Sequence, residues 1–443
     1  MKWVIRIFAI AGVVLCVCGF AMTGIGYAFG GGEYIRSVDL VDIKDVFWAD
    51  IKDGLGKISG TGGGIKVDTG KDTGIVQEGK KNAASINAGS INTWEAEDIK
   101  LNSVSRIEVD FDYIDLKIAR SDDSDFHLSY KLQCMNSKNP LSYSLDHGVL
   151  KLTEGNFKEP GWGKGTWGIG SWSVWYGGYY SLVTLYIPDN TVLEGCNLRM
   201  AKGGLTVHGL CCNLMELELQ DGDVVIRESS FSKAAIQTAD GDITFSDSKV
   251  SGSLQVDTED GDAVFSGTRV KGAIKIDSAD GDMTFSKLDA GRGIDIDTAD
   301  GDVYLSNFKT SGVVQIDVSD GDVALSGVTV PGVMDIQTEC GDVDASGLNV
   351  DGEMHVLTEE GDVGLTRLSI TGKVVINSEY GDISVQVKKN FVPHLKIKLN
   401  TEEGDLSAAR SLGGKKTRGH YEKSGSGKAY LQGNTEEGDI TIR

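Results

Sequence analysis

The sequence predicts an all-β fold: a β-solenoid, or β-helix-like rod, of about 20-residue coils, with an N-terminal β module and a transmembrane helix ahead of it. Three observations predict it. First, eleven Gly-Asp pairs fill the last half of the chain, with their aspartates at Asp223, Asp242, Asp262, Asp282, Asp302, Asp322, Asp342, Asp362, Asp382, Asp405 and Asp439. After one gap of nineteen residues, seven successive gaps are twenty. Second, apolar residues sit one and three positions after each aspartate (Ile243 and Phe245, Met283 and Phe285) and eight and six before it (Leu254 and Val256, Ile294 and Ile296). Spacing by two is the strand period with one face inward. Third, each position keeps its residue type from unit to unit. A hydroxyl lies four before the aspartate (Thr238, Thr258, Ser278, Thr298), and a glycine lies ten after it (Gly252, Gly272, Gly312, Gly332). A unit this small cannot bury its own apolar residues, so it must stack on its neighbours. An antiparallel meander with Asp-Gly turns is the competing fold, but a meander would not bring like positions together. Eleven coils would make a rod on the order of 50 Å long at the inter-strand spacing.

The elements follow in order. Residues 1–6 are read as a cytoplasmic tail, with Lys2 and Arg6. Residues 7–29 hold no charge and are long enough to cross a hydrocarbon core of about 30 Å. The basic flank in front and Glu33 behind place the bulk of the chain outside a cell membrane, on a single-pass anchor. Residues 30–103 have the composition of a Gly-rich polar linker, as in GTGGGIKVDTGKDTG. Residues 104–210 are read as a β module, with strands in IEVDFDYIDLKIA and FHLSYKLQC and a hairpin about His147 and Gly148. Residues 211–443 form the solenoid. Its ten-after glycines are expected at corners that other residues adopt poorly. The beat breaks after Asp382, and an irregular cap follows, closed by TEEGDITIR. Five cysteines lie beyond the anchor, an odd number without regular spacing; Cys196 with Cys211 or Cys212 could pair, or the thiols stay free and buried.

A basic-flanked anchor, IEVDFDYIDLKIARSDDSD, the strand VTLYIPDN, repeated TADGDITFS-like units and a closing GDITIR together resemble a bacterial "putative adhesin" family of membrane-anchored β-strand-repeat proteins, a domain of unknown function. The resemblance covers about residues 104–443. It implies a β-solenoid at the outer face of a bacterial membrane and brings no catalytic residues. This chain departs from the pattern in a Trp-rich loop and in unusually acidic coils.

Net charge is −22. Residues 221–382 alone hold 32 acidic and 11 basic side chains, so the regular coils carry nearly the whole excess. One ladder is Asp257, Asp277, Asp297 and Asp317, at the same outward position of successive coils. A second precedes the Gly-Asp pairs: Asp221, Asp240, Asp260, Asp280, Asp300 and Asp320. Stacked like charges are destabilising, so such a face suggests a counterion or a cationic partner. Calcium, which takes six to eight oxygens, is the candidate for Asp257, Asp277, Asp297 and Asp317. Against it stands ordinary turn chemistry, since Asp-Gly-Asp makes good solvated turns. Trp162, Trp167, Trp172 and Trp175, with Tyr176, form a second candidate: rings presented between glycines to a wall polymer or surface protein, or folded over the open end of the solenoid. A third is the basic run Arg410, Lys415, Lys416, Arg418, Lys423 and Lys428, which suits anionic headgroups, wall polymers or the acidic coils of another copy. The acidic total speaks against nucleic acid. No cofactor is expected apart from calcium. The sequence has no GxSxG, HExxH or phosphate-loop motif, and its nearly equal coils leave little to build a polysaccharide-cutting groove. The expected function is a non-enzymatic cell-surface solenoid, an adhesin or envelope scaffold presenting an acidic face. The alternative is an accessory ligand-binding ectodomain in envelope stress sensing.

Overall fold

A computed structural model describes residues 80–86, 89–159 and 180–443, all within the compact unit Asp72–Arg443. The expected tail and anchor, most of the linker, and the Trp-rich loop lie outside the described residues. Among the described residues no helix is long and apolar enough to cross a membrane.

The coils are parallel and in register. Ile243–Ser246 pairs with Ala263–Ser266, and that with Met283–Ser286. Leu254–Asp260 pairs with Ile274–Asp280, and that with Gly293–Asp300. Each pairing matches residues one period apart, which is a solenoid and not a meander. A coil has three strand segments, for example Ile243–Ser246, Lys249–Val250 and Leu254–Asp260. The alternating residues taken as inward are buried, Ile243, Phe245, Leu254 and Val256 among them. Two further inward positions follow six and eight residues after each aspartate: Leu288, Phe308, Val328 and Leu348, then Val250, Val270, Val330 and Val350. Burying one such side chain stabilises by roughly 1.5–3 kcal/mol. Like residues meet along the axis, as where the Phe265 and Phe285 rings stack at 5.3 Å.

The two glycine positions do different work. In the Gly-Asp pairs from Gly222 to Gly321 the backbone requires glycine, with φ +122° at Gly241 and +127° at Gly301, whereas Gly341, Gly361 and Gly381 have no such φ and are kept by close approach, a Cβ on Gly361 lying 2.0 Å from the Gly341 carbonyl oxygen. The ten-after glycines correct the sequence reading, because they have no such φ. They are kept by close approach: a Cβ on Gly352 would lie 1.8 Å from the Gly332 carbonyl oxygen of the coil before. The hydroxyl position is buried, as at Thr238, Thr298 and Thr358, and Thr258 accepts a 2.9 Å hydrogen bond from Thr238.

Both ends depart from chain order. Near the N-terminus, Arg106–Phe111 and Asp115–Arg120 lie one coil in from the end. Val149–Glu154 and Leu182–Ile187 stack outside them. Antiparallel strands then close this end: Leu141–Asp146 beside Val149–Glu154, and Phe126–Cys134, Gly89–Leu101 and Lys80–Ile86 beyond Leu182–Ile187. The expected hairpin is present, with φ +47° at His147 and +81° at Gly148. Among the described residues strand structure thus begins at Lys80, well before residue 104, and the end of the expected linker is part of the sheet. A linker composition concealed it for two reasons. One inward side chain is the polar Asn92, and a bulge between Ala96 and Ile99, with Asp98 at φ +56°, interrupts the period of two.

At the C-terminus the segment expected to close the rod is instead an inner coil. Tyr430–Thr435 and Ile440–Ile442 insert between Lys373–Ser378 with Ile383–Val387 on one side and Lys396–Thr401 with Leu406–Ala408 on the other. The antiparallel strands His420–Lys423 and Lys415–Thr417 extend the outer edge. Lys423 is buried there, its ammonium donating to the carbonyls of Val392 and Leu395 at 2.6 and 2.8 Å.

Candidate functional surface

The aspartates of the Gly-Asp pairs form a ladder of their own, and its role is structural. A carboxylate oxygen of each accepts the backbone N–H of the aspartate one coil on, at 3.1 Å from Asp262 to Asp242 and 2.7 Å from Asp382 to Asp362. The ladder runs on in spatial order through Asp439 to Asp405. Charge-assisted bonds of this kind satisfy amides that a corner would leave open. Repetition of Gly-Asp was visible in the sequence; the reason for the aspartate was not.

The second ladder stands at the same corner with exposed side chains. Asp221 pairs in register with Asp240, Asp240 with Asp260, Asp280 with Asp300, and Asp300 with Asp320. Lost hydration first, and then Asp300 and Asp260, hold the Asp280 carboxyl above the usual range. The row continues through the exposed Cys340 to Glu360, which the sequence reading missed because the residue type changes. The hydrogen bond with Asp320, ahead of lost hydration, pushes the Cys340 thiol up.

The ladder proposed for calcium has the register expected of it: Asp257 beside Asp277, Asp277 beside Asp297, Asp297 beside Asp317. Lys275 lies 2.5 Å from Asp277 and partly offsets its charge. Lost hydration, then Asp297 and Asp295, raise the Asp317 carboxyl. Among the described residues no three His, Cys, Asp or Glu side chains converge as a metal ion would require. The site residues Trp162, Trp167, Trp172, Trp175 and Tyr176 lie outside the described residues. The basic run is divided by the fold. Lys415, Lys416 and Arg418 are exposed on the end hairpin, whereas Lys423 is consumed inside it. Cys134, Cys196 and Cys212 are buried free thiols.

No curated protein matches this chain. Two solved structures align with it: a "putative adhesin" from Bacteroides fragilis, 15% identical, with a TM-score of 0.28 over 65% of this chain and 96% of that one, and a "putative cell adhesion protein" from Clostridium sporogenes, 11% identical, with a TM-score of 0.14 over 79% and 98%. The family model described as Toastrack DUF4097 matches residues 104–309, 273–352 and 290–443, which hold every coil but not the strands Lys80–Ile86 and Gly89–Leu101. The chain belongs to the Toastrack DUF4097 family.

Proposed function

We propose that this chain is a non-enzymatic cell-surface β-solenoid, an adhesin or envelope scaffold that offers a cationic polymer or protein a row of evenly spaced carboxylates. The observation that carries this reading is the corner row from Asp221 to Asp320, exposed throughout and in register from Asp221 to Asp260 and again from Asp280 to Asp320. One carboxylate about every 4.8 Å repeats a weak contact many times, and linked weak contacts multiply into avidity. The neighbouring Gly-Asp ladder holds the corner rigid, so the row needs little ordering on binding. Near-equal coils between Asp223 and Asp382 favour display along a face over a catalytic groove. In this reading residues 7–29 hold the rod at the outer side of the membrane.

The test replaces Asp240, Asp260, Asp280 and Asp300 by Asn in the full chain in its own cell. Surface attachment should fall to the level of a deletion, with envelope stress responses intact and the melting curve preserved. Unchanged attachment would overturn the proposal. An altered stress response with normal attachment would favour the accessory-sensor alternative instead.

A further inference from the structure

A different face carries a second inference, independent of the corner row. The long strands form one sheet, and two adjacent columns of its outward side lie beside a third that carries Glu353, Lys373 and Lys396. The first reads Gln255, Lys275, Asp295, Gln315, Asp335, His355, Val375 and then, in spatial order, Gln432, Lys398, Glu422, Lys415. The second reads Asp257, Asp277, Asp297, Asp317, Gln337, Leu357, Asn377, Asn434, Asn400, His420, Thr417. Along eleven strands the face passes from acidic through neutral to basic. Its middle strand bears Leu357, 45% exposed, in a shallow depression with His355 and Val375.

We propose that this face is a self-complementary contact between two antiparallel copies of the chain, with the two-fold axis at Leu357. Reversing the rod about that strand sets Asp295 opposite Lys398, Lys275 opposite Glu422 and Asp277 opposite His420. Leu357 meets its own copy at the centre. Signs are opposed at Asp295 with Lys398 and at Lys275 with Glu422, although these residues come from distant parts of the chain. A parallel arrangement would instead exchange the two columns, setting Asp297 against Asp295 and leaving Lys398 without an acid from the other end of the face. Isologous contacts close as dimers and do not propagate. Eleven strands at about 4.8 Å, with a width of about 10 Å, give roughly 500 Å² per copy. The total of about 1,000 Å² is near the lower limit for a specific interface, so the dimer is weak and electrostatic. The corner aspartates stay outside it, and failure of one proposal leaves the other standing.

The test is sedimentation of the full chain, solubilised in detergent, across sodium chloride concentration. At about 50 mM salt a dimer should form, and its Kd should rise about tenfold or more by 500 mM as the charges are screened. Leu357→Glu, at an exposed position, should abolish it with the fold intact by circular dichroism. Asp295→Lys and Lys398→Asp should each weaken it about tenfold, and the two together should restore it. Within one chain these residues are six strand spacings apart, about 29 Å, so the rescue reports contact between copies. A monomer at 50 mM salt and about 100 μM chain, a double variant no better than either single one, or mass that keeps growing with concentration would each overturn the proposal.

Discussion

Substituting Gly301 by Ala meets both causes that keep glycine at the corners, a positive φ and a backbone carbonyl of the coil before. Gly301 has φ +127°, and an added Cβ would lie 2.3 Å from the Gly281 carbonyl oxygen and 2.7 Å from its carbon. Both atoms are backbone and cannot swing away. A side chain in that region of φ costs about 1–3 kcal/mol, and forced overpacking costs about 1–3 kcal/mol more. The sum, about 4 kcal/mol, should appear locally. The control is Gly332→Ala, where φ is ordinary and the nearest contact is 3.0 Å. There the smaller clash is partly offset by the reduced freedom of the unfolded chain, which favours Ala by about 0.4–1 kcal/mol. Long repeat arrays need not unfold in one step, so the assay is native-state amide exchange, read coil by coil. Protection in Gly293–Asp300 and Val303–Ser306 should fall roughly a thousandfold in the Gly301 variant, at 1.36 kcal/mol per decade, and about tenfold or less in the control. Equal loss in both variants, or none in Gly301→Ala, would refute the reasoning that φ and backbone crowding together fix glycine at position 301.

Three further outcomes are expected. Phe265→Ala, which empties a ring position between Phe245 and Phe285, should destabilise its coils by about 3–5 kcal/mol in urea unfolding; a loss below 1 kcal/mol would mean the stack closes up. His127 bridges Asp123 at 2.8 Å and Asp98 at 2.6 Å, and the Asp123 hydrogen bond, followed by the charges of Asp123 and Asp98, raises its pKa. Its share of stability is therefore complete below the unfolded value of about 6.5 and is lost as pH rises through the higher folded value. Asp123, pulled down to about 2 first by the Asp125 backbone N–H and then by His127, works in the opposite sense: its share holds above about 4 and is lost toward pH 2. Protection of the amides near Asp98, taken relative to their intrinsic exchange at each pH, should be greatest between these limits, and His127→Gln should flatten the alkaline side. Finally, melting in calcium and in magnesium tests the ladder as a metal site: a large calcium-specific rise, absent when Asp257, Asp277, Asp297 and Asp317 become Asn, would establish it, and an equal response to both ions would leave those aspartates as solvated carboxylates.

Period and alternation made the coils legible, because in a stacked rod each position meets its own copy and must keep its type. Ile243, Phe245, Leu254 and Val256 show inward facing by their spacing alone. The positions of Leu288 and Phe308 were harder, because other coils place Ser248 and Thr268 there, and polar residues hide an inward site. The same difficulty concealed the strand Gly89–Leu101, where Asn92 faces inward and the bulge at Asp98 shifts the pattern. Glycine marks a corner in either case, but sequence does not say whether φ or a neighbouring carbonyl demands it. Gly301 and Gly352 differ only once the coils are stacked.

The candidate surfaces were less legible, and the cause lies in the ends of the rod. A local pattern orders residues along the chain, whereas a face is ordered by stacking. The two agree from Asp223 to Asp382 and part company after it, where Tyr430–Thr435 lies inside Lys396–Thr401. Read along the chain, Lys398 and Lys415 are scattered charges in an irregular tail. Read along the sheet, they end a column that begins at Gln255 and passes through Asp295. The insertion of the C-terminal strand therefore does more than close the solenoid. It carries Asn434 into line between Asn377 and Asn400, joined by hydrogen bonds of 2.8 and 2.7 Å, and so extends a neutral stretch between the acidic coils and the basic hairpin. Without that coil the basic columns would sit one spacing closer to Leu357, and Lys398 would face Gln315 of an antiparallel copy instead of Asp295. The threading of the last fourteen residues thus sets which charges meet.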